Sequence, residues 1–372
     1  MRAAVLREPN RPLEIEELEI AEPGPGEVMV KLAASGVCHS DLHVLNGDWS
    51  GVETPIVLGH EGAGTVVSIG DGVERTAVGD RVLMSWLPSC GRCRLCLAGK
   101  PQLCLAASDT VFANLMPDGT SRLRAGDERI FSFLTVGSLG EYAVVPENGA
   151  IPFDEDVGFD RAAVVGCAVA TGVGAVVNTA GVKAGDAAVV FGCGGVGISV
   201  VQACAAQAAN PLIAVDTSAE KLAVASTLGA THTIDASSRD PLAAVAEITA
   251  GAGVDFAFEA IGLGATIGQA IEMLGPAGTA VVVGMPPEGV RVSFDPTALA
   301  ERERRVIGCN YGSCVPGIDF PRLLDLYRAG RLDLDALITR RLPLEQVNEA
   351  FDAMSEGLGL RSVIVYQEEA TA

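Results

Sequence analysis

Four cysteines fall within fifteen residues at 90–104, CGRCRLCLAGKPQLC, in the spacing C-x2-C-x2-C-x7-C. Cysteines three apart are poorly placed for disulfides with one another, yet a looped backbone can aim all four thiolates at one centre. Four thiolates complete the tetrahedron of Zn²⁺ and leave no open position, which is the pattern of a structural site. An iron–sulfur cluster is the rival, but ferredoxin-type runs close their last gap in three residues rather than seven. The chain has ten cysteines in all, and no apolar segment follows Arg2 in MRAAVLREPN to act as a secretory signal. Both features point to thiols kept reduced, in the cytoplasm, where metal ligation outranks disulfide bonding.

A second chemistry lies at FGCGGVG. Gly192, Gly194 and Gly197 form G-x-G-x-x-G between the apolar run DAAVVF and the helical pattern GGVGISVVQACAAQ. Glycines there permit a tight turn and let backbone amides approach a pyrophosphate at the helix N-terminus. The motif alone is weak, but Asp216 ends the next apolar run nineteen residues after Gly197. A carboxylate there accepts hydrogen bonds from adenosine ribose hydroxyls and repels a 2′-phosphate, so NAD is expected over NADP. The plainer role for Asp216 is a helix cap beside Thr217 and Ser218. Lys221 reaches toward the same ribose, although a helix-surface lysine is usually solvated.

The elements that must hold these groups follow from the patterning. A length of 372 residues favours two domains, and 49% hydrophobic with 20% charged residues describes a globular enzyme. The balance of 26 basic against 47 acidic residues, −21 net, argues against nucleic acid or an anionic membrane as partner. The first hundred residues read as short strands between Gly and Pro turns (GEVMVKLAASGVC, GAGTVVSIG, GDRVLMSW), a partly closed β-barrel-like module. Residues 105–140 read as a large loop with a small hairpin at PDG. From about residue 169, strands and helices alternate: DAAVVFG, GGVGISVVQACAAQ, PLIAVD and SAEKLAVASTLG, then DFAFEAIG and GTAVVVGM. Such alternation implies a parallel, doubly wound sheet. Residues 187–215 carry no charge, but the glycine turn and Asn210-Pro211 break that run into strand, turn and helix rather than a membrane span. Near the end, EQVNEAFDAMSEGLG places Val347, Ala350, Phe351 and Met354 on one helical face, and RSVIVY forms a last strand.

Further candidate ligands are Cys38 in GVCHSDLH, His60 in GHEGAG and Cys167 in VVGCAVATG. Singly, each reads as a buried thiol or a satisfied core histidine. With the four-cysteine lobe, GCAVATG and FGCGGVG in this order and spacing, the chain resembles the medium-chain zinc-dependent alcohol dehydrogenases from MRAAVL to LRSVIVY. The resemblance implies an α/β fold, a GroES-like β-barrel catalytic domain plus a doubly wound Rossmann domain. Residues 1–168 and 307–372 would form the catalytic domain, with the structural zinc lobe at 90–104, and residues 169–306 the Rossmann domain.

Two Zn²⁺ per subunit are implied, with Cys38, His60 and Cys167 around the catalytic one and Cys90, Cys93, Cys96 and Cys104 around the structural one. A net-neutral centre with a vacancy would act as a Lewis acid on an alcohol while hydride passes to NAD. Asp41 would orient His60, and Glu61 would sit behind the metal. Ser40 would receive the alcohol proton and pass it through the cofactor ribose to His43, since imidazole titrates near neutrality. His39 and Arg361 match positions at the cofactor pyrophosphate, with a solvated surface residue as the alternative for each. Gly195, Val196 and Thr171 match cofactor positions as well.

Trp49, Trp86, Phe133, Leu134 and Met285 would line the substrate cleft, and two indoles would favour primary alcohols and aldehydes. Plain core packing is the alternative for the tryptophans. The long 105–140 loop is similar to that of dimeric members, so a homodimer built partly through the Rossmann sheet edge is expected. Three alternatives accompany this reading. One is a nicotinoprotein that keeps NAD(H) bound and recycles it against an external acceptor. Another is a formaldehyde dehydrogenase acting on a thiol adduct, against which LAASD after Cys104 lacks the arginine that branch requires. The third is a non-enzymatic zinc- and nucleotide-binding module, against which Ser40 and His43 argue.

Overall fold

The computed structural model describes residues 1–366. The chain divides into two compact units, one of residues 1–167, 315–325 and the chain from 338, the other of residues 168–314 and 326–337.

The spine of the first unit is the strand Glu27–Gly36, buried at every position but Lys31. It is covered on both faces, which is why its sequence reads as a nearly unbroken apolar run. It pairs antiparallel with Glu61–Ile69 along one edge, and with Tyr142–Pro146 and Arg361–Val365 along the other. Arg81–Met84 and Ala150–Pro152 extend the sheet one way, and Ile338–Leu342, parallel to the last strand, extends it the other way. A second sheet is built on Arg2–Leu6, Ile56–Val57 and Glu128–Ser132. The register sets Gly36 opposite Glu61 on one neighbour and Val363 on the other. Three strand ends therefore meet where the chain turns toward Cys38.

The stretch after the lobe is more ordered than its composition suggests. Residues Leu105–Val111 are helical, and the hairpin lies at Leu123–Ala125 and Glu128–Ser132 rather than at PDG. Its two-residue turn is Gly126-Asp127, with Gly126 at φ +58°. In PDG, Asp118 is occupied otherwise: Oδ1 accepts from the Thr120 amide and hydroxyl at 2.9 and 2.7 Å, and Oδ2 accepts from Arg122 at 2.7 Å. Arg122 also forks onto Glu27 at 2.6 and 2.8 Å, which ties this turn to the spine strand.

The second unit is a six-stranded parallel sheet in the order His232–Asp235, Leu212–Asp216, Ala188–Phe191, Val254–Glu259, Leu274–Val282, Arg305–Gly308. The chain reverses its direction of travel beside Ala188–Phe191, the switch point where α/β sheets bind ligands. The charge-free 187–215 run resolves into the Ala188–Phe191 strand, a turn and the Gly195–Ala206 helix. Val189, Phe191, Ile213, Val215, Ile234 and Ala257 are among the sheet residues of one core cluster. Among the described residues one helix, Phe159–Ala180, is long and apolar enough to cross a membrane by length and composition, but 78% of its most apolar 18-residue window is buried inside the protein.

Candidate functional site

Among the described residues, two groups of metal-ligating side chains converge, each with its donor atoms within 4.8 Å of one another: Cys38, His60, Glu61 and Cys167, and Cys90, Cys93, Cys96 and Cys104. Among the described residues, no disulfide links any of the ten cysteines.

The first group is assembled by the strand ends. Cys38 follows the spine strand and caps the helix His39–Leu45, while His60 precedes the Glu61–Ile69 strand. Cys167 arrives on a π-turn, Val165–Val169, that continues the helix Phe159–Val164. Wide turns of this kind recur at functional sites because they re-aim one side chain out of helical register. Gly166 allows the close approach, since a Cβ there would stand 2.7 Å from the Met84 carbonyl. Helix Phe159–Val164 is anchored by buried Asp160, which accepts from Arg341 Nε at 2.8 Å and pairs with Arg161 at 3.2 Å.

Buried charge surrounds this centre. Asp41, fully buried, accepts from the Gly59 amide at 2.8 Å and the Cys38 amide at 3.2 Å, and lies 3.3 Å from His60 Nδ1. That contact assigns the proton to Nδ1 and leaves the Nε2 lone pair for a metal. Glu61 is fully buried and hydrogen-bonded by Arg361. The solvated alternative for Arg361 is therefore wrong: the strand Arg361–Val365 is buried over its first four residues, and this guanidinium, on Glu61, is 5% exposed. Burial pushes the Glu61 carboxyl up to about 7, against the Arg361 charge. Gly36 makes room for the pair, as a Cβ there would sit 2.0 Å from Glu61 Oε2. A hydrogen bond from the Cys167 thiol holds Cys38 well below the ordinary thiol range, despite burial. Two sulfurs, one an acid-shifted thiolate, and an oriented imidazole fit Zn²⁺ with room for one more ligand.

Other expected site residues gather nearby in the chain. On the helix His39–Leu45, Ser40 is half-buried, His39 is exposed, and His43 Nδ1 lies 2.8 Å from Asp48. Trp49 stacks on the His43 ring at 4.8 Å. Phe133, buried, sets its ring edge against His60 at 5.6 Å, and Leu134 beside it is also buried. Trp86 is buried.

The four-cysteine lobe is held differently. Its donors come from one contiguous stretch carrying the short helix Arg94–Leu97, and backbone amides of Cys90, Cys93 and Cys96 point at the sulfurs of Cys104, Cys90 and Cys93 at 3.3, 3.3 and 3.5 Å. Amides of Cys96 and Leu105 draw the Cys93 thiol down to about 6. Among the described residues, no charged side chain hydrogen-bonds to this group in the way that Arg361 and Asp41 back the other.

In the second unit, Gly192 turns at φ +85°, Gly194 caps the Gly195–Ala206 helix, and a Cβ on Gly197 would collide with the Gly192 carbonyl at 1.6 Å. Val196 is half-buried in the first turn of that helix. Asp216 accepts from the Cys193 amide at 2.7 Å and the Ser218 amide at 2.9 Å, so its carboxylate is fixed beside the glycine turn. Ser218, not Asp216, caps the following helix, which carries Lys221. Thr171 is buried, and its neighbour Gly172 lies against Ser199 of the glycine-turn helix. Met285 is 56% exposed. Sequence reasoning passed over the Phe133–His60 contact as such and the Asp160–Arg341 anchor, because both join residues far apart in the chain without a local pattern.

Comparison with known proteins places these features together. Residues 24–155 match the model of the alcohol dehydrogenase GroES-like domain, and residues 195–329 match that of zinc-binding dehydrogenases. An NDMA-dependent alcohol dehydrogenase of Amycolatopsis methanolica is 39% identical over 99% of both chains. The crystal structure of an alcohol dehydrogenase zinc-binding domain protein from Burkholderia ambifaria superposes with a TM-score of 0.93 at 37% identity, covering 99% of each chain. Benzyl alcohol dehydrogenase from Acinetobacter calcoaceticus superposes with a TM-score of 0.93 at 33% identity, covering 98% of this chain and 99% of that one.

Proposed function

We propose that the chain, which belongs to the medium-chain zinc-dependent alcohol dehydrogenases and is a zinc-dependent alcohol/aldehyde oxidoreductase, interconverts primary alcohols and aldehydes with NAD as the exchangeable hydride carrier. The observation that carries this reading is the convergence of Cys38, His60 and Cys167 behind an Asp41-oriented imidazole.

Two zinc ions per subunit are assigned, and when bound the one at Cys38, His60 and Cys167 supplies Lewis acidity toward an alcohol oxygen, with NAD accepting hydride. The chain's own residues do the rest. Asp41 holds the His60 tautomer, and Arg361 offsets the Glu61 carboxylate so that buried charge beside the thiolates is matched. Ser40, two residues after Cys38, takes the alcohol proton, and His43, with Nδ1 on Asp48, passes it outward from Nε2. His39 faces the pyrophosphate in this reading, with Gly195, Val196 and Thr171 at the cofactor, while Arg361 is committed to Glu61. Asp216 selects NAD: its fixed carboxylate keeps lone pairs for two ribose hydroxyls and repels a 2′-phosphate. Phe133 and Leu134 line the alcohol pocket together with Trp49, Trp86 and Met285, an aromatic set that suits a primary aryl or alkyl alcohol.

The chain acts as a homodimer in the cytoplasm in this reading. Support comes from the half-exposed edge strand Arg305–Gly308, where Val306 is 39% exposed, and from ten thiols without a disulfide among the described residues. The test is a panel of primary and secondary alcohols with NAD and with NADP. Turnover of primary alcohols with NAD is expected, and equal turnover with NADP would refute the role of Asp216.

Likeness to the NDMA-dependent enzyme favours a second reading, in which NAD(H) stays bound through turnover. One absorption spectrum separates the two: reduced-nicotinamide absorbance that survives desalting selects the second.

A further inference from the structure

The segment between the lobe and the buried centre carries backbone strain that the reaction described above leaves unexplained. Helix Leu105–Val111 begins at its N-cap Cys104, the last lobe ligand, and the chain then reaches Asn114. Asn114 is 2% exposed and sits at φ +58°. It grips the turn Phe133–Thr135 twice: its Oδ1 accepts the Leu134 amide at 2.9 Å, and its backbone carbonyl accepts the Ser132 amide at 3.4 Å. Leu134 and Thr135 both adopt left-handed backbone, at φ +50° and +60°. Such conformations cost branched residues about 1–3 kcal/mol each and persist only where the surroundings over-determine them. What the strained turn delivers is Phe133, edge-on to the imidazole of His60 at 5.6 Å and 79°.

We infer that Asn114 is a positioning residue for substrate selection: it clamps the Leu134–Thr135 turn and so fixes Phe133 as a wall of the alcohol pocket. The inference rests on the pocket reading given above. Asparagine suits the position for two physical reasons. It tolerates left-handed backbone better than other residues with side chains, and its carboxamide oxygen accepts a buried amide proton without burying a charge. Without the clamp, the turn relaxes toward right-handed backbone and Phe133 leaves His60. The pocket widens, small primary alcohols lose their close fit, and bulky ones gain space. The lobe gains a second role as the fixed point from which this clamp is hung.

The experiment compares the parent, Asn114→Gly, Asn114→Asp, Phe133→Ala and the Gly/Ala double variant, each loaded with zinc. Asn114→Gly keeps the left-handed backbone but lacks the acceptor. It is expected to raise KM for a small primary alcohol about fivefold with kcat within about twofold, and to shift kcat/KM toward a bulky alcohol about tenfold. Amide exchange at Leu134 should quicken about tenfold, a readout independent of turnover. Asn114→Asp keeps an acceptor for the Leu134 amide but buries a carboxyl group, so it should lower stability while retaining the parent preference. In the Phe133→Ala background, Asn114→Gly should change the preference less than about twofold, because the two act through one ring. An unchanged preference in a folded Asn114→Gly with faster exchange overturns the inference, as does an equal shift with Phe133 absent. Should Asn114→Gly fail to fold, Asn114→Ser gives the same readouts. A parent inactive on every alcohol refutes the functional reading instead, while Leu134 exchange still decides whether the clamp exists.

Discussion

The two cysteine-bearing groups use similar donors and opposite surroundings. The Cys38–His60–Cys167 set draws on residues more than a hundred apart, and Asp41, Glu61 and Arg361 press buried charge around it. The lobe draws on one short stretch, and main-chain amides and neighbouring thiols steady its sulfurs. A donor set steadied by charged side chains has an electronic character that a single substitution can alter, and it leaves a position open. A closed set steadied by amides resists such change and stabilises a shape. On the proposed assignment, the difference between a reactive and a structural metal would be written in what stands behind the ligands more than in the ligands themselves.

Substitutions that target each side sharpen this contrast. The largest effect belongs to Cys38→Ala, in which turnover should fall to background while the protein remains folded and binds NAD. Undiminished activity there would erase the distinction. Asp41→Ala should follow, lowering zinc affinity at the buried set by about 10–100-fold without touching the lobe. Competition with a chelator, counted by elemental analysis, reads both sites, and equal loss from each would contradict the assignment. Cys96→Ser should act on shape instead, lowering Tm by roughly 5–10 °C because lobe metal binding is folding energy, with the residual folded fraction still turning over. A variant as stable as the parent would show that the lobe carries no stabilising ion.

Smaller effects concern the supports. Arg341→Met leaves buried Asp160 with Arg161 alone and should destabilise by about 1–3 kcal/mol, less than for a fully buried pair because Arg341 is a third exposed. Denaturant titration measures it, and an unchanged midpoint rejects the anchor. The smallest lies at Asp118. Burial pushes its carboxyl up, but Arg122 and Thr120 outweigh that and hold it down at about 2. A depressed carboxylate stabilises above its unfolded pKa of about 4, and that contribution is lost as pH falls through about 2. Since Asp118 is half-exposed, the effect is below about 1 kcal/mol. Asp118→Asn should flatten the stability slope between pH 4 and 2, and an identical slope would assign the pKa shift no energetic role.

Much of this was legible in the sequence because its signals are local. Four cysteines within fifteen residues, three glycines after an apolar run, and apolar strand runs such as Glu27–Gly36 each declare themselves within one window. The misplaced hairpin shows where locality misleads. PDG closes a hydrogen-bonded turn between Met116 and Thr120, but among the described residues no strands flank it, and the paired strands flank Gly126-Asp127 instead. The inward turn of Arg361 depended on its pairing with a carboxylate three hundred residues away. The left-handed Leu134 and Thr135 had no signal at all, since neither residue type announces positive φ and the clamp that holds them comes from Asn114.

That span of three hundred residues between Glu61 and Arg361 also has a consequence for biosynthesis. On the zinc assignment proposed above, a nascent chain could close the lobe around an ion once residue 104 has left the ribosome. Glu61 would lack its Arg361 partner until the strand Arg361–Val365 is translated. A product truncated before that strand would then carry a lobe able to bind its ion and an incomplete buried centre.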